Sequence, residues 1–138
     1  MDQKPIIVQT TVAAPIQKVW EYWTAPEHIV GWAFASDDWE ARDPENDLRA
    51  GGKFKTYMTA KDGSTGFDFT GVYTAVREHE RIAYDLDDGR HVEIEFTPST
   101  EGVAIRQTFD PENEFPVEYQ QSGWQAFLDN FKQYAEGQ

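Results

Sequence analysis

Between Lys53 and Phe109 the chain repeats one pattern, and that repetition narrows the possible folds more than any other feature. Runs of alternating apolar and polar residues are separated by short turn signals. Phe54, Thr56 and Met58 alternate with Lys53, Lys55, Tyr57 and Thr59, which predicts a strand from Lys53 to Thr59. Lys61-Asp62-Gly63-Ser64 follows, and Asp-Gly suits the positive φ of a tight hairpin. In the next run, Phe67 to Val76, one face carries Phe67, Phe69, Gly71 and Tyr73. Arg81 to Leu86 is a further strand. Asp88-Gly89 turns into His91 to Thr97, where Val92, Ile94 and Phe96 alternate with Glu93 and Glu95. Pro98 to Gly102 turns into Val103 to Phe109, with Val103, Ile105, Gln107 and Phe109 on one face. Successive hairpins at this spacing specify an antiparallel sheet with one buried and one wet face. Glu93, Glu95 and Arg106 belong to the wet face.

The ends of the chain supply the other layer. Ile6, Val8, Thr10 and Val12 share a face of a first strand, Ile6 to Val12. Pro15 marks a helix start at the first helical position, and Ile16, Val19, Trp20 and Trp23 follow at helical spacing. Pro26 opens a second short helix that is expected to reach about Trp32. Trp39 to Asp43 reads as a short strand and Asp43-Pro44-Glu45-Asn46-Asp47 as a loop. From about Pro116 to Ala135 the pattern changes to a long helix. Trp124, Phe127, Leu128, Phe131 and Ala135 form its apolar stripe, and Gln121, Gln125, Asp129, Lys132 and Gln133 its polar side. Gly123 interrupts this helix at a cost of about 1 kcal/mol against alanine, which suggests close backbone packing or space left for something.

A chain of 138 residues with no internal repeat or linker is read as one domain. It holds no cysteine, which excludes disulfides, thiolate zinc sites and cysteine nucleophiles. A net charge of -13 argues against a nucleic-acid partner and against docking on anionic lipid. It permits an acidic face for a basic protein partner. No apolar run reaches spanning length, and Met1-Asp2-Gln3-Lys4-Pro5 lacks a signal-peptide core, so no membrane insertion and a cytoplasmic location are expected. Five tryptophans are many for this length, and that much ring area implies a bulky core or a cavity walled by rings.

Catalytic patterns are missing. His28, His79 and His91 are scattered, with no second ligand at metal spacing, so no metal and no cofactor are expected. Ser36, Ser64, Ser99 and Ser122 sit outside any Gly-x-Ser-x-Gly context. Gly51-Gly52-Lys53 leads into a strand and lacks the spacing of a phosphate loop. No catalytic residue is assigned. Asp68, Asp85 and His91 are the nearest titratable candidates, but alternation puts them opposite Phe69, Tyr84 and Val92, on the wrong face. What remains is the inward face of sheet and helix, where Thr56, Tyr73, Tyr84, Gln107, Gln120 and Trp124 could orient a ligand.

The order of segments is familiar. Ala14-Pro15-Ile16-Gln17-Lys18-Val19-Trp20 precedes Thr24-Ala25-Pro26-Glu27-His28-Ile29-Val30-Gly31-Trp32. Ala50-Gly51-Gly52-Lys53-Phe54, Phe69-Thr70-Gly71-Val72-Tyr73 and Ser122-Gly123-Trp124 follow, the last leading to Phe127, Leu128, Phe131 and Tyr134. Over essentially its whole length this resembles the bacterial relatives of the activator of the heat-shock-chaperone ATPase, within the START and birch-pollen-allergen superfamily. The resemblance implies an α+β helix-grip fold. Six or seven antiparallel strands would grip a long C-terminal helix, two short helices would complete the cup, and a hydrophobic cavity would lie between. It also implies apolar ligands such as lipids, polyketides or flavonoid-like molecules, and no shared catalytic residues. The expected ligand site comprises Phe54, Thr56, Met58, Phe69, Tyr73, Tyr84, Ile94, Ile105, Gln107, Gln120, Trp124, Phe127 and Phe131. The alternatives are a protein-interaction module in stress response or chaperone regulation, and a cyclase- or hydrolase-like enzyme.

Overall fold

A computed structural model describes residues 4–34, 36–112 and 116–138. Met1, Asp2 and Gln3, part of the segment read as lacking a signal core, lie outside the described residues. Seven strands form one sheet: β1 (Ile6–Val12), β2 (Trp39–Asn46), β3 (Lys53–Ala60), β4 (Gly66–Arg77), β5 (Arg81–Leu86), β6 (His91–Ser99) and β7 (Gly102–Phe109). Their spatial order is β1-β7-β6-β5-β4-β3-β2, with every neighbouring pair antiparallel. Short helices α1 (Ile16–Thr24) and α2 (Pro26–Ile29) connect the two edge strands, and α3 (Val117–Glu136) closes the chain. The curled sheet wraps around α3, so the helix-grip architecture is the observed one.

The hairpins form where the sequence places them. Gly63 and Gly89 close these turns with φ of 79° and 92°, a region glycine enters without strain, and their N–H groups bond the Ala60 and Leu86 carbonyls. Even-numbered residues of β1 and β3 point inward, as do Tyr84, Ile94, Ile105 and Gln107. One inward row crosses the sheet through Tyr73, Tyr84, Val92, Phe109 and Ile6. The fully buried Leu128 and Phe131 of α3 fill the concave side with Val12, Val19, Val103 and Ile105.

Three expectations are corrected. β2 does not end at Asp43; it continues to Asn46 across a register shift between Arg42 and Glu45. Asp43 takes φ of 49° there, and the bulge accommodates Pro44 on an edge strand that needs no N–H from it. Pro98 lies in β6 opposite Val103 and is not part of the turn. The second short helix ends at Ile29 and not near Trp32; Val30, Gly31 and Trp32 continue as turns, and Gly31 lies directly against the Tyr134 ring.

The polar side of α3 also has an unexpected position. It does not simply face water. Gln121 Nε2 donates to the Ile7 carbonyl at 3.2 Å, and Gln125 Nε2 to the Gln9 carbonyl at 3.1 Å. Lys132 Nζ donates to the Thr11 carbonyl at 2.6 Å, and Glu136 Oε2 accepts from the Ala13 N–H at 2.8 Å. These side chains occupy the backbone groups that an edge strand otherwise leaves open to another chain.

Candidate functional site

The concave side does not fill completely. A pocket of about 640 Å³ remains between the sheet, the N-terminal half of α3 and the segment around α2. That volume lies in the range of about 300–1,000 Å³ typical of small-molecule sites. Phe54, Thr56 and Met58 of β3 line it, with Phe69 and Tyr73 of β4, Tyr84 of β5 and Gln107 of β7. Gln120, Trp124 and Phe127 of α3 form the opposite wall. These expected ligand residues therefore meet around one space. The other three do not reach it. Ile94, Ile105 and Phe131 point inward but lie in the filled part of the core. Phe131 is covered by Trp23 and Trp32, with ring centroids at 4.8 and 4.9 Å.

Close contacts shape the wall. A Cβ at Gly71 would lie 2.7 Å from the Phe54 ring and from the Asp85 carbonyl oxygen. Glycine thus lets Phe54 lie against the sheet, where its ring meets Tyr73 at 5.2 Å and Tyr84 at 4.8 Å. Trp124 stacks on Phe109 at 3.9 Å with an interplanar angle of 12°, which holds the indole flat against the sheet. One residue earlier the wall has a gap. A Cβ added at Gly123 would meet nothing within 4 Å, and Gly123 itself borders the pocket. Of the two readings of this glycine, space left open is the one observed.

The polar groups in the wall are few and oriented. Asn46 Nδ2 donates to the Thr24 carbonyl at 2.7 Å, and Tyr73 Oη donates to Asn46 Oδ1 at 2.5 Å. Burial pushes the Tyr73 hydroxyl far above the usual phenol range, with Asn46 opposing. Burial does the same to Tyr84, opposed by its hydrogen bond with Gln107. Both remain neutral hydroxyls near neutral pH. Gln120 holds the chain entering α3 through paired bonds: its Oε1 accepts from the Glu112 N–H at 2.9 Å, and its Nε2 donates to the Glu112 carbonyl at 3.1 Å.

Sequence reasoning omitted Asn46, Trp39, Phe67 and Arg90 from the site, all of which line the pocket. Asn46 was hidden by the bulge in β2, whereas Phe67 already shared the alternating face of Phe69 and could have been included.

Asp68, Asp85 and His91 stand outside the pocket. Asp68 is 3.9 Å from Lys55, and Asp85 Oδ1 lies 2.7 Å from His91 Nδ1. Arg81 bonds Glu93 in the same outer cluster and is the first cause of the lowered Glu93 pKa. Among the described residues no group of three or more His, Asp or Glu side chains is placed to hold a metal ion. Nor is any helix long and apolar enough to cross a membrane.

Comparison with known proteins gives concordant matches. Residues 13–136 match the family described as Activator of Hsp90 ATPase homolog 1-like protein. The solution structure of an AHSA1-like protein from Aeromonas hydrophila is similar, with 41% identity, 96% of this chain and 92% of that one covered, and a TM-score of 0.92. A Cytophaga hutchinsonii protein solved in solution is 50% identical over 96% of this chain and 92% of its own, with a TM-score of 0.84. A Chromobacterium violaceum protein at 23% identity shares the fold, with 97% of this chain and 99% of that one covered and a TM-score of 0.86. No curated protein matches the chain.

Proposed function

We propose, on the premise that the chain belongs to the Activator of Hsp90 ATPase homolog 1-like family within the START and birch-pollen-allergen superfamily, that it binds an apolar small molecule between sheet and helix. The observation that carries the reading is the open pocket of about 640 Å³ walled by Phe54, Phe69, Trp124 and Phe127, with a gap at Gly123. A chain of this size gains from filling such a space with its own side chains, since each buried methylene contributes about 0.8 kcal/mol. A helical glycine facing open space forgoes that gain and a further ~1 kcal/mol of helix propensity. Both losses are understandable if a ligand supplies the missing contacts.

The chemistry favours binding over turnover. The Tyr73 hydroxyl and the Asn46 and Gln120 amides in the wall already have partners, and among the described residues no carboxylate–histidine pair faces the pocket. The test is a native mass-spectrometry and thermal-shift screen of lipids, polyphenols and other apolar compounds. A binder should add one mass equivalent and raise the unfolding free energy by about 2.7 kcal/mol at a hundredfold excess over Kd. Failure of every apolar class to bind would remove the proposal.

A further inference from the structure

We infer that the pocket selects an uncharged ligand bearing a hydrogen-bond donor, and that Tyr73 reads the donor; the inference rests on the binding function proposed above. Thr24 sets the geometry. Its carbonyl takes the Asn46 amide nitrogen at 2.7 Å, which fixes the orientation of that amide and turns Oδ1 toward Tyr73. An amide oxygen can only accept, so the Tyr73 hydroxyl must donate to it. Its one hydrogen is thereby committed, and burial keeps it protonated. What Tyr73 offers any further partner is an oxygen lone pair. An alcohol, phenol or amide N–H complements that, whereas an ether oxygen or a carboxylate sets acceptor against acceptor.

The charges of the wall lead to the same class. Among the described residues Arg90 is the single cation lining the pocket, and it is engaged by Asp88 at 2.8 Å and by Glu112 at 3.9 Å. An entering carboxylate would find no unpaired cation there. Glu40 is bonded to Arg42 at 2.9 Å, Glu45 is exposed on β2 and Glu112 is engaged by Arg90 at 3.9 Å, so none of the three is a buried, uncommitted counterion for an ammonium group. A charge moved into such a space without a partner is strongly disfavoured. The remaining class is a neutral apolar body, rings included, with a donor placed to meet Tyr73.

Four matched probes test this by calorimetry on the full chain near neutral pH: a naphthol, its methyl ether, the corresponding naphthoate and the aminomethylnaphthalene. The naphthol should bind about five- to tenfold more tightly than the ether, the range of one net hydrogen bond. The naphthoate and the ammonium should each bind at least about tenfold more weakly than the naphthol. In Tyr73→Phe the ratio of naphthol to ether affinity should fall to about one, a readout internal to each protein and insensitive to a general loss of stability. Equal binding of naphthol and ether, a ratio that survives Tyr73→Phe, or preferred binding of either ion would overturn the selection while leaving an apolar site intact. If none of the four binds and the wider screen is also empty, the pocket is no ligand site and both readings fall together.

Discussion

Replacing Gly123 by alanine should stabilise this protein, although most substitutions at a partly buried position do the opposite. A new Cβ would meet no heavy atom within 4 Å, so the methyl causes no clash. The gain is then the helix propensity difference, together with the reduced freedom of the unfolded chain, at about 0.5–1 kcal/mol. For a chain of this length that corresponds to a rise of roughly 2–5 °C in Tm. Thermal unfolding followed by circular dichroism or calorimetry measures it directly. Gly123→Leu extends the argument: its branched end projects into the pocket, so the ligand-free protein should remain at least as stable as wild type. The affinity for any apolar probe should meanwhile fall by about tenfold or more, because the side chain occupies the space. A lower Tm for the alanine variant would mean that α3 packs closely at Gly123 and that the gap is not open. Wild-type affinity in the leucine variant would place the bound probe elsewhere.

Two further outcomes are expected. Gln121→Ala and Gln125→Ala each remove side-chain bonds to the outer edge of β1. Each should cost about 0.5–1.5 kcal/mol in denaturant unfolding, and the double variant should show more association by light scattering. Glu136 has its pKa lowered below 4.5, first by the hydrogen bond from Lys132 and then by that from the Ala13 N–H. A depressed carboxylate contributes stability that is complete above the unfolded value and is lost as pH falls through the folded one. The stability difference between wild type and Glu136→Gln should therefore be present near neutrality and shrink below about pH 4.5. A difference that stays constant through that window would show that the bonds from Lys132 and from the Ala13 N–H contribute nothing.

The strands of the meander were legible because alternation and Asp-Gly turns are local signals, readable without the rest of the molecule. β1 and β5 were bounded correctly for the same reason. β2 was not, because its bulge at Asp43 and Pro44 breaks the two-residue period and mimics a loop. Loss of that period also hid Asn46. Alternation assigned Ile94 and Ile105 to the inner face but could not say how far along the cup they lie. That depends on where the side chains of α3 fill the space and where Gly123 leaves it. The polar stripe of α3 was read correctly as polar, but its partners on β1 were not legible. Glutamines facing water and glutamines facing a strand edge have the same spacing in one dimension.

That stripe sets how the helix can move. Gln121 to Glu136 spans fifteen residues, about 22 Å of helix, while Ile7 to Ala13 spans six, about 20 Å of strand. The two lengths agree closely enough for the whole set of bonds to form in one alignment. Sliding α3 by one turn, about 5.4 Å, falls short of the strand repeat of about 6.8 Å and breaks the set together. Translation along β1 is therefore opposed by all of these bonds at once, while the buried Leu128 and Phe131 and the Trp124–Phe109 stack hold the other side of the helix on the sheet.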